Sequence, residues 1–174
     1  VPGTNFNPNW GQGTVVTQEL IDGNNTLVYS GLNYQGTEFA SALDVTAMEN
    51  LHLDFWTDNS SELNVFLIST GPAETAYSLT VPTTGWSSID IPLSEFSGVD
   101  LADVIQMKFD GNGTIYLDNI YFFKGGGTGG TEPTDAPPAP TLPQANVISL
   151  FSDAYNDVPV DTWLTTCSVA SFED

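Results

Sequence analysis

Between Gly13 and Phe123, short runs rich in Val, Ile, Leu, Tyr and Phe are separated by Gly, Asn, Asp and Pro at a spacing of roughly 8–12 residues, the rhythm of a β-sandwich or barrel. The runs predict strands over 14–21, 26–33, 36–43, 50–57, 62–69, 75–81, 86–91, 103–109 and 114–123. Alternation is clearest in NLHLDFWT, where Leu51, Leu53 and Phe55 are expected to face one way and His52, Asp54 and Trp56 the other. No segment sustains the ~3.6-residue apolar period of a helix. PLSEFSG at 92–98 makes at most one helical turn, with Ser94 as its cap.

The flanks of this strand-rich stretch carry no period. Residues 1–12, VPGTNFNPNWGQ, read as an ordered loop behind a mature or cut N-terminus. KGGGTGGTEPTDAPPAPTLPQA at 124–145 joins a flexible glycine half to a stiff proline half and reads as a linker that cannot build a core. Beyond it, Val147, Ile148, Leu150 and Phe151 make a strand-like run, followed by a fragment too short to fold alone. The expected division is a β-sandwich module over 1–123, a linker over 124–146, and the start of a further repeat or a donor strand over 147–174. Sliding the end of the chain over its beginning by 157 residues sets Val158-Pro159 on Val1-Pro2, Trp163 on Phe6 and Cys167 on Trp10, as expected of slightly more than one period of a tandem array. On that reading the first copy lacks its own opening strand, and its sheet is short of an edge. Residues 147–157 could fill the gap by folding back or by entering a neighbouring copy, since about 22 linker residues extend to roughly 70 Å.

Charge narrows the partners. Among 174 residues, 22 are Asp or Glu and two are basic, Lys108 and Lys124, giving a formal charge of −20. Nothing here could neutralise phosphates, so nucleic acid and anionic membrane are not expected partners, and no apolar run is long enough to cross a bilayer. One cysteine, Cys167, rules out an internal disulfide, and a single histidine, His52, argues against a zinc cluster. A surface this self-repelling suits high ionic strength or calcium, which points outside the cell.

GWSSIDIPLSEF at 85–96 and TIYLDNIYFF at 114–123, with LHLDFWT at 51–57 and FSDAYND at 151–157, resemble the jelly-roll carbohydrate-binding modules of galactose-binding-like fold. Such modules occur in surface and secreted glycan-degrading proteins, including those of marine Bacteroidetes. The resemblance implies an all-β, antiparallel two-sheet sandwich, with the segment after the linker completing a sheet as an extra strand. It also implies a structural calcium near the paired first and last strands. The aspartate of the family's final-strand Y-x-D-N motif matches Asp118, and the acidic entry loop supplies Asp153 and Asp157. That entry loop lies C-terminal here, so Asp153 would serve this sandwich by fold-back or from another subunit.

Sugar recognition needs flat aromatic faces flanked by amides or carboxylates. Trp56 is expected on the polar face of its strand beside His52 and Asp54, and Trp10 sits in an Asn-rich loop; with Tyr34 these are the candidate ligand-binding residues. Gln35 and Tyr77 are weaker candidates, and the resemblance gives Trp86 a packing role. No nucleophile elbow, Glu-x-Asp-x-Glu strand motif or phosphate loop is present, so no catalytic residue is assigned. The expectation is a non-catalytic extracellular or cell-surface module that binds neutral, β-glucan-like polysaccharide. The alternative is a structural repeat of an adhesin or filament assembled by strand exchange between copies.

Overall fold

The computed structural model describes residues 3–82, 85–125, 140–151 and 154–156. Among the described residues ten strands form: β1 Val15–Ile21, β2 Asn24–Ser30, β3 Tyr34–Leu43, β4 Asn50–Trp56, β5 Leu63–Ser69, β6 Ala73–Leu79, β7 Trp86–Pro92, β8 Val104–Gly111, β9 Ile115–Phe123 and β10 Val147–Phe151. One sheet runs β1-β2-β9-β4-β7 with β10 also on β9, and the other runs β3-β8-β5-β6, every pairing antiparallel.

The period-2 pattern decides which side chains meet between the sheets. Leu51, Leu53 and Phe55 of β4 and Ile115, Leu117, Ile120 and Phe122 of β9 share one core with Leu63, Val65 and Leu67 of β5 and Met107 and Phe109 of β8. Tyr29 of β2 meets Phe109 edge-on, with ring centres 6.0 Å apart, and so joins the two layers. Each such side chain contributes on the order of 1.5–3 kcal/mol by leaving water. The β1–β2 hairpin turns through Asp22 and Gly23, both with positive φ, as a two-residue Asp-Gly turn requires. The expected helical turn is a 3-10 turn over Leu93–Glu95. Pro92 occupies its N-cap, so Ser94 lies inside the turn and does not cap it.

The N-terminal loop is held by β3. Asn5 and Glu38 exchange backbone hydrogen bonds of 2.8 and 2.9 Å, covering the edge of the four-stranded sheet. Gln35, fully buried, donates to the Phe6 carbonyl and accepts from Gln12.

β10 completes a sheet, and it does so within its own chain. Along one edge of β9, β2 pairs with 115–117 and β10 pairs with 120–123, so the two strands occupy successive halves of the same edge. The gap is therefore half a strand inside the sheet, not a whole outer edge. Residues 140–146, expected as the end of the linker, lie against this junction: Gln144–Asn146 form a 3-10 turn, Lys124 N–H donates to the Asn146 carbonyl, and Leu142 packs on Tyr121 and Phe123.

Candidate functional site

The outer face of the four-stranded sheet is a grid fixed by register. Tyr34, Gly36 and Glu38 of β3 stand opposite Asp110, Lys108 and Gln106 of β8, which in turn face Asn64, Phe66 and Ile68 of β5. Gly36 leaves an opening in this grid, and Trp10 fills it. A Cβ on Gly36 would lie 2.4 Å from Trp10 Cζ3. Trp10 is held by ring and backbone: its indole Nε1 donates to Glu38 Oε1 at 2.7 Å, and its backbone carbonyl accepts from the Tyr34 hydroxyl at 2.7 Å.

Beside Trp10 runs a groove of about 430 Å³ lined by Tyr34, Gln106, Lys108, Ile68, Pro72 and Glu74. Lys108 Nζ lies 3.8 Å from the centre of the Phe66 ring and 2.8 Å from Glu74 Oε2. The groove thus carries an aromatic wall, an amide and a neutralised charge pair, which suits hydroxyl-rich, uncharged ligands.

The outer face of the other sheet has three zones. At one end Tyr116, Trp56 and Trp86 stand side by side on β9, β4 and β7. In the middle lies a buried polar network. Asp54 is 3% exposed; its Oδ1 accepts from the Ser88 hydroxyl and its Oδ2 from Asn119 Nδ2 at 2.7 Å. Asn119 reaches Asp54 because β9 bulges there: Asn119 adopts φ 48°, and the β4–β9 register shifts between His52 and Asp54. At the far end Tyr121, Phe123 and Val147 form a second apolar cluster, roofed by Leu142 and Tyr155.

His52 connects the last two zones. Its ring stacks on Tyr121, with centres 4.6 Å apart, and sits 2.6 Å from Asp90 and 3.4 Å from Asp54. Burial, the largest influence, disfavours the imidazolium, but hydrogen bonds and attraction from Asp54 and Asp90 together outweigh it and raise the pKa to about 9. His52 is therefore a half-buried cation at neutral pH.

Fifteen solved chains match this chain in fold. A family 11 carbohydrate-binding module from Clostridium thermocellum, in complex with a β-1,3-1,4-mixed-linked tetrasaccharide, matches with TM-score 0.50 and 20% identity over 71% of this chain and 97% of that one. A module described as specific for non-crystalline cellulose, of family 28, matches with TM-score 0.51 and 16% identity over 71% and 87%. This chain has the jelly-roll fold of carbohydrate-binding modules. The same fold aligns with part of an exo-β-agarase, at TM-score 0.50 and 14% identity, covering 72% of this chain and 24% of that enzyme. No protein family and no curated protein matches the sequence itself.

On this jelly roll the residues singled out from sequence separate. Trp10 and Tyr34 are brought together on the four-stranded sheet. Trp56 lies on the opposite face, and His52 and Asp54 belong to the polar network beside it. Asp118 is buried, accepting from Asn24 Nδ2 at 2.5 Å and from the Asn119 N–H at 2.7 Å. Asp153 and Asp157 lie outside the described residues, and among those described no three His, Cys, Asp or Glu side chains gather as a metal site. Tyr77 turns to Phe96 against the core.

Sequence reasoning passed over Gln106, Lys108 and Glu74 in the groove, Glu38 at the Trp10 indole, and Asp90 beside His52. Alternation in β8, with Met107 and Phe109 inward, already puts Gln106 and Lys108 outward. Which sheet they share with Trp10 is a tertiary fact.

Proposed function

We propose that this chain is a non-catalytic, extracellular carbohydrate-binding module that takes neutral, β-glucan-like polysaccharide in the groove beside Trp10. One observation carries the reading: an indole anchored by Glu38 and Tyr34 over a glycine opening, walling a groove with Gln106, Lys108 and Glu74 in reach. The glucans bound by the structural neighbours support the ligand class, and a formal charge of −20 argues against sulfated or uronic-acid chains. Isothermal titration against soluble glucans tests it. Binding in the groove that Gln106→Ala weakens and Trp10→Ala abolishes is expected; no heat above dilution for any glucan would sink the proposal.

A structural calcium is part of the same reading. Asp118 supplies a buried carboxylate, and β10 runs toward it, with Phe151 opposite Ile120, two positions away. Asp153 and Asp157 would complete an oxygen set with it, pinning the returning segment to β9.

The half-edge of β9 filled by β10 also favours a second reading, a structural repeat of a surface adhesin or filament in which residues 147–157 enter a neighbouring copy. Light scattering over a range of concentrations tests that assembly. A monomer at every concentration would count against it.

A further inference from the structure

The two aromatic patches on the outer face of the six-stranded sheet are treated differently. Tyr121 and Phe123 are roofed by Leu142 and Tyr155. Among the described residues nothing roofs Trp56, Trp86 and Tyr116, which together with Glu19 and Ile21 line a cavity of about 310 Å³. These three aromatics stand outside both apolar clusters, so their packing does not hold the sheets together. Trp56 and Tyr116 meet at 81° with ring centres 5.2 Å apart and form a corner: one ring can lie under the apolar face of a sugar while the other closes its edge. Trp86, paired with Trp56 across β4 and β7, widens the floor by one interstrand spacing of about 4.8 Å.

Glu19 is the ionisable acid of the lining, and its carboxylate can accept hydrogen bonds from sugar hydroxyls. The volume lies in the range of small-ligand sites, about 300–1,000 Å³. The lack of a cation in the lining disfavours anions.

We infer that the Trp56–Trp86–Tyr116 corner is a second glycan-binding site, back to back with the Trp10 groove, and that one chain can hold two polysaccharide strands at once. The inference rests on the sugar-binding reading above. It adds a property that one groove cannot supply: a single folded unit that crosslinks polymer, with avidity on multivalent glucan.

Titration of the full chain with the mixed-linked β-glucan tetrasaccharide, together with light scattering of soluble mixed-linked β-glucan, separates the outcomes. Two sites per chain are expected, falling to one in Trp86→Ala and to one in Trp10→Ala, and each substitution should abolish polymer crosslinking. Glu19→Gln, which keeps both rings, should weaken the second site about tenfold while its melting temperature stays near wild type. A single site that Trp10→Ala removes and both Trp86→Ala and Glu19→Gln leave intact would overturn the corner and keep the groove. A single site with the reverse pattern would support the corner and overturn the groove. No binding by wild type would overturn both.

Discussion

His52 and Asp90 face each other across the β4–β7 pairing, with Nδ1 2.6 Å from Oδ1. On the other side of the ring Asp54 lies 3.4 Å from Nε2, and Tyr121 closes the top. A chain with two basic residues has thus placed its one histidine between two acids and covered it.

That placement links stability to pH. The folded-state pKa of His52 is raised from 6.5 to about 9, so folding is favoured by its proton at all pH below about 6.5. The contribution, on the order of 3 kcal/mol, is lost as pH rises from 6.5 through 9. Urea unfolding at pH 6 and pH 10 should show this loss, and His52→Gln should flatten it. Equal wild-type stability at the two pH values would mean that the imidazole is neutral in the fold.

Gly36→Ala isolates Trp10. Gly36 does not have the positive φ that would strain an alanine, and the added methyl would run into the indole, 2.4–2.6 Å from three of its ring atoms. The indole must lift, breaking its bond to Glu38. Overpacking costs about 1–3 kcal/mol of stability. Glucan affinity in the groove is expected to fall at least tenfold while the chain stays folded. Adding Gly36→Ala to Trp10→Ala should have no further effect, and additive losses by titration would show that Gly36 acts through something else.

The strands were legible because their residues obey a local rule. Leu51, Leu53 and Phe55 point inward, while His52, Asp54 and Trp56 point out, as alternation demands. What alternation cannot state is which outward faces coincide. Trp10 and Trp56 look equivalent in sequence and lie on opposite sides of the sandwich, because the first is placed by Gly36 and the second by β9 and β7. Asp54 faces outward as alternation demands and is buried all the same, for a similar reason. A bulge at Asn119, one residue out of register, swings an amide over the carboxylate, and no local pattern announces it. Trp86 carried a packing role by analogy, and in the structure it also lines the corner cavity.

Calcium predicts a second stability linkage. If Asp118 shares an ion with Asp153 and Asp157, adding a chelator should lower the melting temperature by several degrees, and restoring calcium should return it. Asp118→Asn should melt at the chelated wild-type temperature in either condition. A wild-type melting curve indifferent to chelator would remove all three aspartates from metal binding and leave Asp118 to its bonds from Asn24 and Asn119.

The returning strand should be needed for stability. A chain ending at Gly125 would expose Tyr121 and Phe123, which are 4% and 0% exposed in the full structure, and would leave half the edge of β9 unpaired. Losing the contacts of Val147, Ile148, Leu142 and Tyr155 removes a few kcal/mol of apolar burial. The bare edge is also a template for another chain. Truncation should therefore lower the melting temperature and produce concentration-dependent association by light scattering. A synthetic peptide spanning 140–157 should reverse both effects, because β10 makes its contacts through pairing and packing that do not depend on covalent connection. If the shortened chain melts at the wild-type temperature, stays monomeric and ignores the peptide, β10 is an ornament on a finished sheet, and strand exchange between copies loses its physical basis.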